Sequence, residues 1–284
     1  MELLEDIMTE NMQETLSEKL LDQPLAETKT ESGRQWLVKC PICYRTCYQS
    51  WEITDWRKEK LDWFLCYCGS IFREGLARTD IYNDEYIKQY KEQKQLNTRI
   101  EYLERLYLSL IEELTYGRRF LDVGFTVPLF LERLKNRGWL TQGIDLLPNN
   151  GYITGDFATY DFGIQRYELI RFNDVLSCFN DPVGAIRKAY KLLAPTGILM
   201  LNTPDAKAIY LLQHPIEFGH WGSQHRVFIN QCQLRKILKE TGFEIVLSWL
   251  NMAERLFSTN EIHILAQKPE IRKEREIEGD KKDG

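Results

Sequence analysis

The chain has 284 residues, 43% hydrophobic and 28% charged, with a formal net charge of −5. That length holds one sizeable core plus a small module or tails, and the acidic balance argues against a general polyphosphate-binding surface. No apolar run approaches the roughly 20 residues of a membrane helix, and the acidic start, MELLEDIMTENMQE, reads as neither a secretory signal nor a transit peptide, so the cytoplasm is the expected compartment.

Residues 1–33 are polar with only a weak helical pattern and are predicted to form a flexible arm. Residues 34–78 carry five of the seven cysteines, between Cys40 and Cys68. In a cytoplasmic protein such a cluster points to metal before disulfides. Cys40 and Cys43 have CxxC spacing, whereas Cys66 and Cys68 form the tighter CxC, with Leu65 where a second CxxC would begin. Together these four thiols suit a closed, structural tetrahedral zinc site, with Cys47 nearby. A cysteine-bearing hairpin that has lost its metal is the rival reading.

Residues 79–268 form the main predicted domain. Leu103, Leu106, Leu108, Leu110, Ile111 and Leu114 suggest a helix packed on a following sheet. From Arg119 strand and helix alternate. RFLDVG is a strand, PLFLERLKNRG a helix closing at Gly138, LTQGID a strand and GYITGDF a short strand. YELIRFNDVL is a strand, followed by the helix DPVGAIRKAYKLLAP with Asp181 as N-cap and Pro182 in its first turn. TGILMLNTPD is a strand, QCQLRKILKETGF a helix ending at Gly242, and EIVLSWL and EIHILAQKP a final pair of strands. This order predicts an α/β fold: a Rossmann-like, doubly wound, mostly parallel sheet with an antiparallel terminal strand, preceded by the small cysteine-rich module. Residues 269–284 read as a charged, disordered tail.

A strand ending at a helix N-terminus presents free backbone N–H groups, so the turn after Val123 is a candidate ligand site. Gly124 allows close backbone approach; Phe125, Thr126, Val127 and Pro128 follow it. About twenty residues on, Asp145 ends a strand where a Rossmann-like fold grips ribose hydroxyls. It also fits a plain strand-end or capping acid. Asn173 and Asp174 fall at the C-terminal edge of the sheet, where such folds bind ligands. Three histidines cluster in HPIEFGHWGSQH. His225 and His220 are candidate general bases, with Tyr210, Phe218 and Trp221 as pocket walls. A loop packed by aromatics with surface histidines is the alternative. Cys178 reads as a small buried hydrophobe.

In this order LDVG, GID, TGDF, YELIRFNDVLSCFNDP, LLAPTGILMLNTPD, HWGSQHRVF and the helix ending GF resemble the class I S-adenosylmethionine-dependent methyltransferases over roughly residues 80–268. The branch acting on small molecules or saccharides, sometimes preceded by a cysteine-rich zinc module, is the most similar. The resemblance implies S-adenosylmethionine as cofactor, with Asp122 and Gly124 beside its methionine part. It also implies that Asp156 accepts from the adenine amino group, with Phe157 beside the base. Thr126 and Pro128 stand where the family has its second and third glycines, Ser177 and Cys178 where many relatives have Glu-His, and Thr196 where one of two glycines precedes the fifth strand. The expected function is methyl transfer to a small-molecule or saccharide acceptor. The alternative is a catalytically inactive binding or partner protein on the same scaffold. A nucleic-acid substrate and a membrane association are not expected, and the oligomeric state is left open.

Overall fold

The computed structural model describes residues 38–47, 50–54, 58–75, 87–88, 108–148, 151–207, 224–250 and 261–270. The predicted arm and residues 271–284 of the predicted tail lie outside them, as do Leu103, Leu106, His214, His220, Tyr210, Phe218 and Trp221. The described residues all belong to one compact unit spanning Leu37–Gly284.

The main sheet has seven strands. β6 (Arg119–Val123), β7 (Leu140–Asp145), β8 (Ile153–Thr154), β9 (Tyr167–Asn173) and β10 (Leu193–Pro204) pair parallel, in the spatial order β10-β9-β6-β7-β8. β13 (Glu261–Gln267) pairs antiparallel with β10 and carries β12 (Glu244–Leu250) antiparallel on its far side. The predicted mostly parallel sheet with an antiparallel last strand is therefore present. Its order reverses between β6 and β9, which puts a ligand crevice at the carboxyl ends of those two strands.

Alternation along the strands sends side chains to two faces. Phe120, Leu169, Ile198 and Leu265 pack with Phe130, Leu131 and Leu134 of helix α1 (Leu129–Asn136), and with Leu108 and Ile111 from the helical residues 108–114. Leu121, Ile170, Leu199 and Ile264 pack on the opposite face, with Ile186 and Ala189 of α2 (Pro182–Leu192) and Leu234 and Leu238 of α3 (Gln231–Thr241). Both faces are covered, which is why the strands read as near-continuous apolar runs. Burial contributes roughly 1.5–3 kcal/mol for each large aliphatic or aromatic side chain.

Local signals set the element ends. The Asp181 carboxylate accepts from the Gly184 N–H at 2.8 Å, capping α2 with Pro182 at its first position. α3 ends at Gly242, whose φ of 106° suits a left-handed C-terminal residue. Two boundaries differ from the sequence reading. The strand read over YELIRFNDVL stops at Asn173, and Leu176 opens a short 3-10 helix. The run LAP, read as the end of a helix, is extended and begins β10. Pro195 disfavours helical backbone at Ala194 before it, so the helix stops at Leu192.

The cysteine-rich segment forms two small sheets. β1 (Val38–Lys39) pairs with β2 (Thr46–Cys47), while β3 (Ser50–Thr54), β4 (Lys60–Leu65) and β5 (Ile71–Arg73) form an antiparallel meander. The meander is completed by β11 (Val227–Phe228), which arrives from the far end of the chain and pairs antiparallel with β5. The hydrophobic interior is shared as well. Phe64, Cys66 and Phe72 lie in one continuous cluster with Val227, Ile229 and Leu234.

Candidate functional site

The turn after β6 keeps a glycine-type backbone with only one glycine. Gly124 has φ 67°, and its N–H donates to the Ile144 carbonyl at 2.9 Å. A Cβ at this position would lie 2.5 Å from Cγ2 of Val175. Thr126 also adopts the left-handed region, at φ 52°. For a β-branched residue this is a strained conformation. The structure thus supplies at Thr126 the backbone that a glycine would adopt freely.

That backbone has a partner. The Thr126 N–H donates to Oδ2 of Asp145 at 3.0 Å, and the Leu147 N–H donates to Oδ1 at 2.9 Å. Asp145 ends β7 and is largely buried. Each carboxylate oxygen has a second acceptor site beyond the N–H it receives, so the fixed carboxylate retains capacity for two hydroxyl donors. Phe125 turns into the core instead. A Cβ on Gly143 would come within 2.7 Å of its ring, and the ring meets Tyr152 edge-on at 5.1 Å.

Asp122 is fully buried, and its oxygens accept from Arg171 Nε and Nη2 at 2.9 and 2.7 Å. The guanidinium lies 3.9 Å from the ring centroid of Phe130. The sequence reading missed this ion pair; the signal for it is an arginine inside the strand YELIRFN, which needs a buried anion. Asp156 is exposed, with its Oδ1 accepting from the Ala158 N–H at 2.8 Å. Phe157 is buried among Phe162, Phe172 and Phe179. Asn173 is half-buried at the end of β9, next to Asp174, whose φ of 54° ends the strand. Gly124, Asp145 and Asn173 therefore sit at the strand ends around the crevice, while the side chains of Asp122 and Phe157 are held in packed surroundings.

Ser177 and His225 meet across 48 residues of sequence. Ser177 Oγ lies 2.7 Å from His225 Nδ1, and Cys178 Sγ lies 3.8 Å from the same nitrogen. His225 is 4% exposed, so its ring is fixed by packing and does not sample solvent freely. The sequence placed both residues near the crevice but did not show that they touch. The missing signal was the path of residues 224–230 back over the short helix Leu176–Cys178, where the Arg226 N–H donates to the Ser177 carbonyl at 2.7 Å.

The four thiols predicted for metal are brought together. The sulfurs of Cys40, Cys43, Cys66 and Cys68 all lie within 4.8 Å of one another; Cys40 and Cys68 are 3.8 Å apart, and Cys43 and Cys66 are 3.4 Å apart. A tetrahedron with zinc–sulfur bonds of about 2.3 Å has edges of about 3.8 Å, so the cluster has the size of a zinc site. The Ile42 N–H points to Cys40 Sγ at 3.4 Å, the kind of backbone donor that stabilises a thiolate. Hydrogen bonds from the Cys40 and Cys68 thiols pull the Cys66 thiol down to about 3. Cys47 lies next to the cluster without being one of its four converging sulfurs; burial, together with a hydrogen bond to Cys66, pushes its thiol up to about 12.

A family model described as a methyltransferase domain matches residues 93–248. Among solved structures the chain is similar to a 1,6-didemethyltoxoflavin-N1-methyltransferase from Burkholderia thailandensis with bound 1,6-didemethyltoxoflavin and S-adenosylhomocysteine. That match has a TM-score of 0.49 and 12% identity, and covers 71% of this chain and 96% of the other. It is also similar to magnesium protoporphyrin IX methyltransferase from Synechocystis with bound S-adenosylhomocysteine (TM-score 0.47, 17% identity, 66% and 96% covered). A third likeness is the N-methyltransferase NodS from Bradyrhizobium japonicum (TM-score 0.45, 16% identity, 62% and 99% covered). No curated protein matches.

Proposed function

The chain belongs to the methyltransferase domain family, a class that uses S-adenosylmethionine, and on that premise we propose that it methylates a small-molecule or saccharide acceptor with His225 as general base. The observation that carries the reading is the Asp145 carboxylate, fixed at the tip of β7 by the Thr126 and Leu147 N–H groups. A carboxylate held in this way needs no reorganisation to accept two ribose hydroxyls. S-adenosylmethionine, when bound, supplies an electrophilic methyl on its sulfonium. Gly124 gives the backbone approach beside it, and Asp156 offers an acceptor for an amino group at the adenine end. Asn173 lines the same strand-end crevice, and Asp122 sets the Gly124 turn from behind through its pairing with Arg171.

The base reading rests on geometry. The contact of Ser177 Oγ with His225 Nδ1 fixes the ring in the place from which it would take a proton from an acceptor hydroxyl or amine. His220 is the second candidate base and lies outside the described residues. Zinc on Cys40, Cys43, Cys66 and Cys68 is structural in this reading, because four protein thiolates leave no open position.

Calorimetric titration with S-adenosylhomocysteine tests the site. Binding is expected, and Asp145→Ala is expected to weaken it by at least about 1 kcal/mol, roughly fivefold. Equal affinity in the variant would sink the ribose assignment. A second reading, a non-catalytic partner protein on the same scaffold, draws on Val175 packed against Gly124. Absence of binding by the folded protein would move the balance to it.

A further inference from the structure

The four-cysteine module and the candidate base meet through one segment, residues 224–230. Arg73, 6% exposed at the end of β5, donates from Nε to the His225 carbonyl at 2.7 Å. Its backbone N–H donates to the Arg226 carbonyl at 2.9 Å. Ile71 and Phe72 then pair with Phe228 and Val227. At the other end of the segment, Asn230 Nδ2 donates to the carbonyl of Cys68 at 2.9 Å, while its Oδ1 accepts from the Gln233 N–H and caps α3. The fit is tight: a Cβ on Gly69 would lie 2.4 Å from Asn230 Nδ2. Packing follows the same route, with Trp63 stacked on Phe228 at 5.0 Å.

We propose that the four-cysteine module, which a bound metal would hold closed, positions His225 through Arg73 and Asn230, so that the module completes the acceptor side of the site and is not an independent appendage. The proposal rests on the reading of His225 as base. β5 has three residues and β11 two, so the pair depends on its neighbours. β4 supports one side of β5, and the knuckle fixes where the chain turns from β4 into β5. Gly69 N–H donates to the Cys66 carbonyl at 2.8 Å and Cys66 N–H to the Ser70 carbonyl at 2.9 Å, so the turn bearing two ligands runs directly into β5. Once the metal leaves, four converging thiols lose their common partner and the turn loses its anchor. The strain passes along β5 to the backbone of residues 225–228. The crevice at Gly124 and Asp145 stands on β6 and β7, which belong to a different sheet from this meander. Arg73 is a positioning residue by this argument, since its contact is with the His225 carbonyl and not with a reacting atom.

The test uses the full chain with zinc and after chelation. Hydrogen exchange is followed over residues 224–230 and 119–145, with S-adenosylhomocysteine affinity measured in parallel. Zinc removal is expected to raise exchange in 224–230 at least tenfold while exchange in 119–145 and the affinity stay within twofold. Unchanged protection of 224–230 after zinc loss would overturn the proposal. A second arm avoids stripping the metal. Arg73→Gln, with zinc content intact, is expected to shift the His225 ring nitrogen resonances, and Arg73→Lys, which keeps a cationic donor, to restore them partly. Resonances unmoved in Arg73→Gln would also overturn it. His225→Asn tests the underlying base reading separately: if methyl transfer survives that change, the base assignment fails, whatever the exchange shows.

Discussion

Thr126 shows how a residue can carry a glycine's job at a cost. Its φ of 52° is a left-handed conformation that disfavours an L residue by roughly 1–2 kcal/mol, more for a β-branched one. The position is kept because its N–H fixes Asp145. Replacement by glycine removes the strain and keeps the N–H, while adding about 0.5–1 kcal/mol of chain entropy to lose on folding. Thr126→Gly is therefore expected to leave stability unchanged or raised by up to about 1 kcal/mol, read from denaturant unfolding, with Asp145 still held. A loss of stability would mean that the Thr126 side chain contributes contacts the turn needs. The sequence announced a departure from a glycine-rich turn at this point. It did not announce that the backbone would keep the glycine conformation, because main-chain hydrogen bonding to an acid nineteen residues away decides that.

Strand pairing shows a similar division between what was legible and what was not. The apolar stretches in β6, β9 and β10 and the alternation of strand and helix around them gave the sheet, and Asp181, Pro182 and Gly242 gave helix ends, because each signal acts within a few residues. Arg171 and Asp122 join β9 to β6 in a buried pair whose partners lie far apart in sequence. Removing one member leaves an uncompensated buried charge, which costs about 3–5 kcal/mol, whereas replacing both by apolar residues can be close to neutral. Arg171→Met alone is expected to fall in that range by denaturant unfolding. Asp122→Leu combined with Arg171→Met is expected to recover most of it. If the double variant is as unstable as the single one, the pair does more than neutralise itself, and a role for Asp122 in shaping the Gly124 turn gains support. The β5–β11 pairing was the least legible element. A two-residue strand carries no periodicity, and its partner lies at the opposite end of the chain.

At the scale of the whole molecule, pH response reads out how the sheet is closed. Tyr167 opens β9 nearly buried, with its hydroxyl against the side-chain carbonyl of Gln142 and donating to Gln165 Oε1 at 2.6 Å. Burial pushes it from an ordinary value of 10 up to about 12. The folded chain thus holds the neutral phenol where the unfolded chain would ionise it. The stability this contributes is complete below about pH 10 and is lost as pH rises through 12, a total of about 3 kcal/mol. Lys188 and Lys268 act in the opposite sense, since burial pulls both ammoniums below their ordinary value of 10.5 and favours the folded chain as pH climbs to that point. A simple pH–stability curve mixes the three groups, but the difference between wild type and Tyr167→Phe isolates the tyrosine. At pH 7 the variant is expected to be less stable by about 1 kcal/mol through the lost hydrogen bond. At pH 12 the order is expected to reverse. Parallel curves across pH 9–12 would show that Tyr167 ionises without opening the sheet, and would place alkaline sensitivity elsewhere in the core.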